Sequence, residues 1–339
     1  MTWKCLRRCA VWRGKAGLRN EKAAGKRIRM KSGDTYNIYI FGAGYEYNRL
    51  SSYLPLYSDI FNIMGIVTTK RQGFSCIDGL KNITIEEIDV AAMDYIIIAV
   101  IAWKEIKEKL LSIGIEDKKI IRSNVFYNPC FGFKEYIKLK SSNVSIFSNF
   151  CLGGTIYREL GLKVLSPTVN MFCLGEEYIQ FLREYEVLLK SEMKEYISEQ
   201  YISGTLGCES FYQRGILDDR IIWYFNHNQS ASDAIVKWNE RVKRINYSNI
   251  AMLMTIQTDE AAYEFDKLPI KKKLGVYHKD LNLESVIYCS DWNDSRVRYQ
   301  SHGNWPAYAN RYMSNSDNLA GAVNWIKFLN GDNDYKRYT

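Results

Sequence analysis

Four clusters of residues in this chain have types and spacings that suit chemistry. In the first, Ser148-Asn149-Phe150-Cys151-Leu152-Gly153-Gly154 joins polar side chains, a thiol and two glycines. A strand precedes it and a helix follows. A helix dipole and the N–H groups at its start stabilise an anion or a thiolate there. Cys151 could act as a nucleophile, or Gly153 and Gly154 could let a phosphate approach the backbone, with Ser148 and Asn149 as polar contacts. The plainer reading is a structural cysteine in a tight turn. In the second cluster, His227 follows a strand and Asp218-Asp219 precede it. His227 suits a general base, since α/β sites form at carboxyl strand ends. Asp219 suits an acid at the reacting centre or a diphosphate-bound cation, although adjacent acids commonly cap a turn. In the third, Trp238, Arg241 and Arg244 stand three apart on one helix face. Two guanidinium groups beside an aromatic ring suit a phosphate or sugar-phosphate, and cations at a helix end also simply offset its dipole. The fourth is Gly42-x-Gly44 after the first strand, a turn that suits a nucleotide phosphate.

Other chemistries are disfavoured. The dinucleotide fingerprint needs a third glycine, where Tyr47 stands, and an acid after the second strand, where the sequence reads Val67-Thr68-Thr69-Lys70. NAD chemistry is therefore not expected. The three histidines, His227, His278 and His302, have no metal-pair spacing, so no metal site is expected. A relay of Cys151, His302 and Asp294 is conceivable, because triads are defined by geometry and not by order. The eight cysteines contain no C-x-x-C and read as reduced cytosolic thiols.

Strands alternating with helices must position these residues. Strands are expected at Tyr36 to Phe41, Phe61 to Val67, Asp94 to Val100 and Lys119 to Ile121. Helices are expected from 45 to about 53, where Leu54-Pro55 ends the run, and over Lys104 to Ser112. A boundary is expected near Asn128-Pro129, before a helix at Phe131 to Leu139. The second run has strands at Val144 to Phe147, Ile221 to Phe225, Ile250 to Ile256, Lys272 to Tyr277 and Ser285 to Tyr288. Its helices open near Thr155 and cover Glu176 to about Ile197, Ala231 to Arg244, Glu260 to Leu268 and Asn318 to Leu329. The fold class is thus α/β, with a Rossmann-like parallel sheet in residues 32–129 and a three-layer α/β domain in residues 130–339.

Charge sits unevenly on this frame. The chain of 339 residues has a formal net charge of +8. Residues 1–31 hold 11 of the 46 Lys and Arg and one of the 38 Asp and Glu, so residues 32–339 carry a net −2. The body is not a polyanion binder, and nucleic acid is not an expected partner. The basic tail reads as a disordered extension, or as sequence ahead of a start at Met30. The other reading is an amphipathic segment touching an anionic membrane. Tyr95 to Trp103 is the longest apolar run, too short to span a bilayer. A cytoplasmic, or membrane-peripheral, protein is expected.

Several separated motifs resemble a known bacterial family of unknown function, described as exopolysaccharide biosynthesis proteins. They are Ser148 to Gly154, Ile156-Tyr157, Pro167-Thr168-Val169, Phe225-Asn226-His227, Trp238 to Asn246 and Phe265 to Pro269. Phe150 and Leu152 depart from the polar and aromatic residues of that pattern. The segment Phe41-Gly42-Ala43-Gly44 resembles the Rossmann-like module at the front of bacterial glycan-modifying proteins, sugar O-acetyltransferases among them. The resemblance implies a two-part α/β fold and a place in surface-polysaccharide assembly. A transferase acting on a sugar nucleotide or lipid-linked glycan is then expected, with a nucleotide-sugar as its small-molecule ligand. The alternative is a non-catalytic sugar-nucleotide-binding or scaffold protein of the same pathway.

Overall fold

The computed structural model describes residues 35–70, 73, 75–128, 131–197, 213–225, 230–288 and 323–336. The tail expected at 1–31, together with His227, Asp294 and His302, lies outside the described residues.

The first sheet is built from β1 (Tyr36–Phe41), β2 (Phe61–Thr68), β3 (Cys76–Ile77), β4 (Leu80–Thr84), β5 (Tyr95–Ile98) and β6 (Ile120–Arg122). Helix α1 (Tyr45–Ser51) follows β1, and α2 (Trp103–Ser112) follows β5. The strand order is β3-β4-β2-β1-β5-β6, and all pairs are parallel except β3 with β4. Parallel strands are covered on both faces, which is why these segments read as continuous apolar runs. Ile38 and Ile40 face one side with Ile66 and Ile97, where α1 packs through Tyr47 and Leu50. Tyr39 and Phe41 face the other with Val67, Ile96 and Ile98, where α2 packs through Ile106 and Leu110.

Helix α3 (Phe133–Ser141) leads into the second sheet, which comprises β7 (Ser145–Ser148), then β11, β12 and β13 later in the chain. Between them lie α4 (Leu152–Glu159), α5 (Gly175–Leu188), β8 (Met193–Glu195), β9 (Arg214–Leu217), β10 (Ile221–Tyr224) and α6 (Ala231–Val242). The chain then runs through β11 (Ile250–Thr255), α7 (Asp259–Lys267), β12 (Lys273–Tyr277) and β13 (Val286–Tyr288) to α8 (Trp325–Asn330). The order is β13-β12-β11-β7, all parallel. Ile146, Ala251, Leu253 and Val276 share one buried cluster with α3, α4 and α8. Phe147, Met252, Met254 and Tyr277 share another with α5, α6 and α7. This gives the three layers expected. Strands β8, β9 and β10 form a small antiparallel sheet in the second cluster.

Helix starts follow local chemistry. Ser230 Oγ accepts the Asp233 N–H at 3.1 Å and opens α6, and Thr258 Oγ1 accepts the Ala261 N–H at 3.1 Å and opens α7.

Some expectations shift. The helix expected to reach Ile197 stops at Leu188, and Met193 to Glu195 pairs with β9 instead. Strands β3, β4, β8 and β9 were not expected, because each is short and gains its order from a partner strand. The start expected for the last helix, at Asn318, lies outside the described residues. One core also runs through both halves. Phe61 of β2 and Phe133 of α3 meet edge to face at 4.7 Å, and Tyr136 on the same helix donates its hydroxyl to Leu160 O at 2.9 Å.

Candidate functional site

The carboxyl ends of β7 and β11 carry the loop that sequence reasoning singled out. Asn149 follows β7 directly and is 1% exposed. Its Oδ1 accepts the Thr255 N–H at 2.8 Å, and its Nδ2 donates to Thr255 O at 3.0 Å. The side chain thus continues the β7–β11 pairing beyond the last backbone partners, Ser148 and Leu253. The Asn149 carbonyl accepts the Cys173 N–H at 3.0 Å. Asn149 is a brace inside the protein, and its expected role as a substrate contact is corrected accordingly.

Ser148 is also enclosed. Its N–H donates to Thr168 Oγ1 at 3.1 Å. Its hydroxyl donates to Phe150 O at 2.5 Å and accepts the Gly153 N–H at 3.1 Å. Ser166 and Thr168 share a further hydroxyl contact at 3.1 Å. A Cβ on Gly153 would stand 2.8 Å from Ser148 Oγ, so glycine is what lets α4 begin this close to β7. Gly154 faces Val169, whose Cγ1 would be 3.2 Å from an added Cβ. Ser148 and Gly153 therefore serve the turn. Cys151 heads α4, partly exposed, and its carbonyl accepts the Thr155 N–H at 2.9 Å. Cys173 is the contrasting thiol, wholly buried, with its pKa pushed well up by burial and by Glu177.

The segment Pro167-Thr168-Val169 is tied to α6 by Arg241, whose Nη1 donates to Val169 O at 2.7 Å. Burial and then Arg244 lower the pKa of Arg241. Arg244 is half exposed and pairs with Glu240 at 3.4 Å. Trp238 is 0% exposed, packed on Trp223 with ring centroids 5.2 Å apart. It is a core residue, because the apolar stripe of α6 turns inward there. It offers no face for a ligand to stack on.

A stack of three aromatic rings was not expected. Phe150 lies parallel to Phe172 at 5.7 Å, and Phe172 lies parallel to Tyr224 at 4.6 Å. Backbone bonds of 3.0 and 2.8 Å join Phe172 and Tyr224 as an isolated bridge. The stack docks the carboxyl end of β10 beside the Cys151 loop. No spacing in the sequence signals it, because its members come from three separate segments. Glu177, on the first turn of α5, was also missed. Its carboxyl pKa is raised by burial, and the same carboxylate helps raise that of Tyr224. The strand-end region thus includes a carboxyl whose pKa burial raises.

Asp219 does not join this group. Asp218 and Asp219 form the tip of the β9–β10 hairpin, both with positive φ (56° and 52°). Asp219 pairs with Lys194 at 3.2 Å, while Asp218 pairs with Arg220 at 2.6 Å. The four residues of β10, about 13 Å of extended chain, separate this tip from the docked end. The expected catalytic role of Asp219 is corrected to that of a hairpin residue.

The Gly42–Gly44 turn lies in the other sheet. Gly42 has φ +112°, and a Cβ there would stand 2.5 Å from Val100 Cγ1 and 2.6 Å from Ala99 O. Its N–H donates to Val67 O at 2.9 Å, so it is spent on the sheet and not available to a phosphate. Gly44 borders open space ahead of the seven-residue α1. Among the described residues, no three acids, histidines and cysteines form a metal-binding group. Among them too, no helix is long and apolar enough to cross a membrane.

Comparison with known proteins places this architecture. A family model described as "Domain of unknown function (DUF1919)" matches residues 122–327, more than half of the chain. The chain belongs to the DUF1919 family. The DUF1919 segment takes in α3, the second sheet and the whole strand-end region. A second model, "C2185-like, N-terminal", matches residues 34–121, which hold the first sheet. The two matches meet a few residues before the boundary expected at Asn128-Pro129. An uncharacterized protein of Haemophilus influenzae is 27% identical over 145 residues, 42% of this chain and 65% of the relative. The chain thus spans 65% of the length of that curated relative. Among solved structures, aspartate semialdehyde dehydrogenase II of Vibrio cholerae, complexed with ASA, is similar at 11% identity and a TM-score of 0.24. That alignment covers 72% of this chain and 82% of the other. So low a likeness carries neither fold nor activity to the DUF1919 chain.

Proposed function

We propose that this protein is a transferase acting on a sugar nucleotide or lipid-linked glycan in exopolysaccharide or capsule biosynthesis, with its reacting centre at the carboxyl ends of β7 and β11. The observation that supports the reading is convergence. Cys151, the Pro167-Thr168-Val169 segment held by Arg241, and the docked end of β10 meet there on a frame fixed by Asn149 and Ser148. A frame set by internal hydrogen bonds holds reacting groups in place without reorganisation. In this reading the Cys151 loop forms the anion or oxyanion site and His227 is the general base. Arg244, the more exposed guanidinium, meets phosphate. Replacing Cys151 by Ala and His227 by Ala, separately, is expected to reduce polymer yield by about a hundredfold, the scale of losing a charge-stabilising or proton-transferring group. Unchanged yield and composition from two folded variants would refute the assignment.

A second reading is a non-catalytic sugar-nucleotide-binding or scaffold protein of the same pathway, with a Rossmann-like first sheet. It is favoured by how many of the polar residues are spent on internal bonds. A nucleotide-sugar that raises the melting temperature but is never turned over would select it.

A further inference from the structure

A cleft of about 380 Å³ opens at the amino ends of β5 and β6, where α3 passes. It lies away from both the Gly42 turn and the strand-end region, and the inference stands independently of the proposed transfer reaction. Lys118, Lys119 and Lys140 line it with Asp94, Tyr95 and Ser141. Two of these amines are pinned by backbone. Lys119 Nζ donates to Met93 O at 2.9 Å, and Lys140 Nζ donates to Ile120 O at 2.8 Å. An ammonium has three N–H donors, and among the described residues each of these has that one acceptor. Two donors therefore remain on each pinned amine.

Charge around the cleft is unbalanced. Lys107 pairs with Asp117 at 2.5 Å, and Lys118 pairs with Glu116 at 2.7 Å. Asp94 has one carboxylate oxygen on the Asn37 N–H at 2.8 Å. Asp94 is thus the remaining acid among the described residues that line the cleft. Burial pushes the Lys140 amine down to about 8, with Asp117 opposing and Lys107 reinforcing the shift. A cation taken from water with too little counter-charge behaves this way.

We propose that this cleft binds a small phosphorylated polyhydroxy compound of the sugar-phosphate class, with Lys119 and Lys140 donating to phosphate oxygens and Asp94 and Ser141 meeting hydroxyl groups. The volume is that of a small-ligand site and far exceeds a bare phosphate. Tyr36 and Phe133 already pack against the Tyr95 ring, at 5.6 and 5.4 Å. Among the described residues, Tyr95 is the one aromatic lining the cleft, and these edge contacts already engage its ring, which favours a sugar phosphate over a nucleotide.

The test uses the full chain with glucose 6-phosphate, inorganic phosphate and glucose as probes at matched ionic strength. Thermal shift and calorimetry should show saturable binding of glucose 6-phosphate, weaker binding of phosphate and none of glucose. Lys140→Met keeps the stem and should weaken binding about tenfold or more, the scale of one charge-assisted hydrogen bond. In the unmodified chain, NMR of the lysine amines should show the Lys140 titration moving upward from about 8 when the probe binds. This readout needs no variant to fold. Absence of saturable binding by either phosphate probe would overturn the proposal. So would a Lys140 titration that ignores the probe, or equal binding of phosphate and glucose 6-phosphate.

Discussion

Asn149 offers the sharpest test of how the strand-end region is built. Its amide makes two buried bonds to one backbone unit, Thr255, at 2.8 and 3.0 Å. Asn149→Ala leaves that N–H and that carbonyl without their partners. Each such group costs about 1–3 kcal/mol when dry. A truncated side chain leaves room for water, so the lower half of that range applies, giving about 3 kcal/mol for the pair. For 339 residues, an unfolding entropy of about 2.1 cal/mol/K per residue amounts to roughly 0.7 kcal/mol/K. The melting temperature should therefore fall by about 4 °C. Urea denaturation followed by circular dichroism should show a lower midpoint with an unchanged slope. Asn149→Asp keeps an acceptor for the N–H but sets a carboxylate oxygen against the Thr255 carbonyl. That carboxyl would hold its proton more tightly when folded than when unfolded. Its variant should regain stability as pH falls toward about 4 and lose it as pH rises. A loss of less than about 1 kcal/mol for Asn149→Ala, with altered ligand binding, would refute the brace and restore Asn149 as a ligand contact.

Two further outcomes follow from the first sheet and its cleft. Gly42→Ala should cost more than about 2 kcal/mol in denaturation, from strain at φ +112° and the clash with Ala99 and Val100, while Gly44→Ala should stay within about 0.5 kcal/mol. The Lys140 amine titrates near 8 in the folded chain and near 10.5 when unfolded, so native stability should rise with pH between those values, and Lys140→Met should remove that part of the rise in pH-dependent melting curves.

Much of the fold could be read from pattern alone. The four strands of the second sheet lie within a residue of their expected places, because each is a short apolar run bounded by polar or turn residues. Strands β3, β4, β8 and β9 could not be read so. Met193 to Glu195 continues a helical stretch by composition, and only the pairing of Met193 with Leu217 makes it a strand.

For the site, the position of a polar, glycine-bearing loop between a strand and a helix could be read from the residues, and the reason Gly153 is glycine came from the fold. The run from Ser148 to Gly154 sits between a strand and a helix, and Gly153 is the residue without a Cβ where Ser148 Oγ comes closest. Side-chain roles were decided only by the tertiary structure. Asn149 has the same chemistry in either role, and Thr255, 106 residues away, is what makes it a brace. Trp238 faces inward because Trp223 completes a core there, and Asp219 leaves the site because a hairpin puts it at the far end of a strand. The stack of Phe150, Phe172 and Tyr224 and the pinned amines of Lys119 and Lys140 likewise exist only once distant segments meet. Periodicity reports which face of an element is buried. It carries no information about which partner is waiting on the other side.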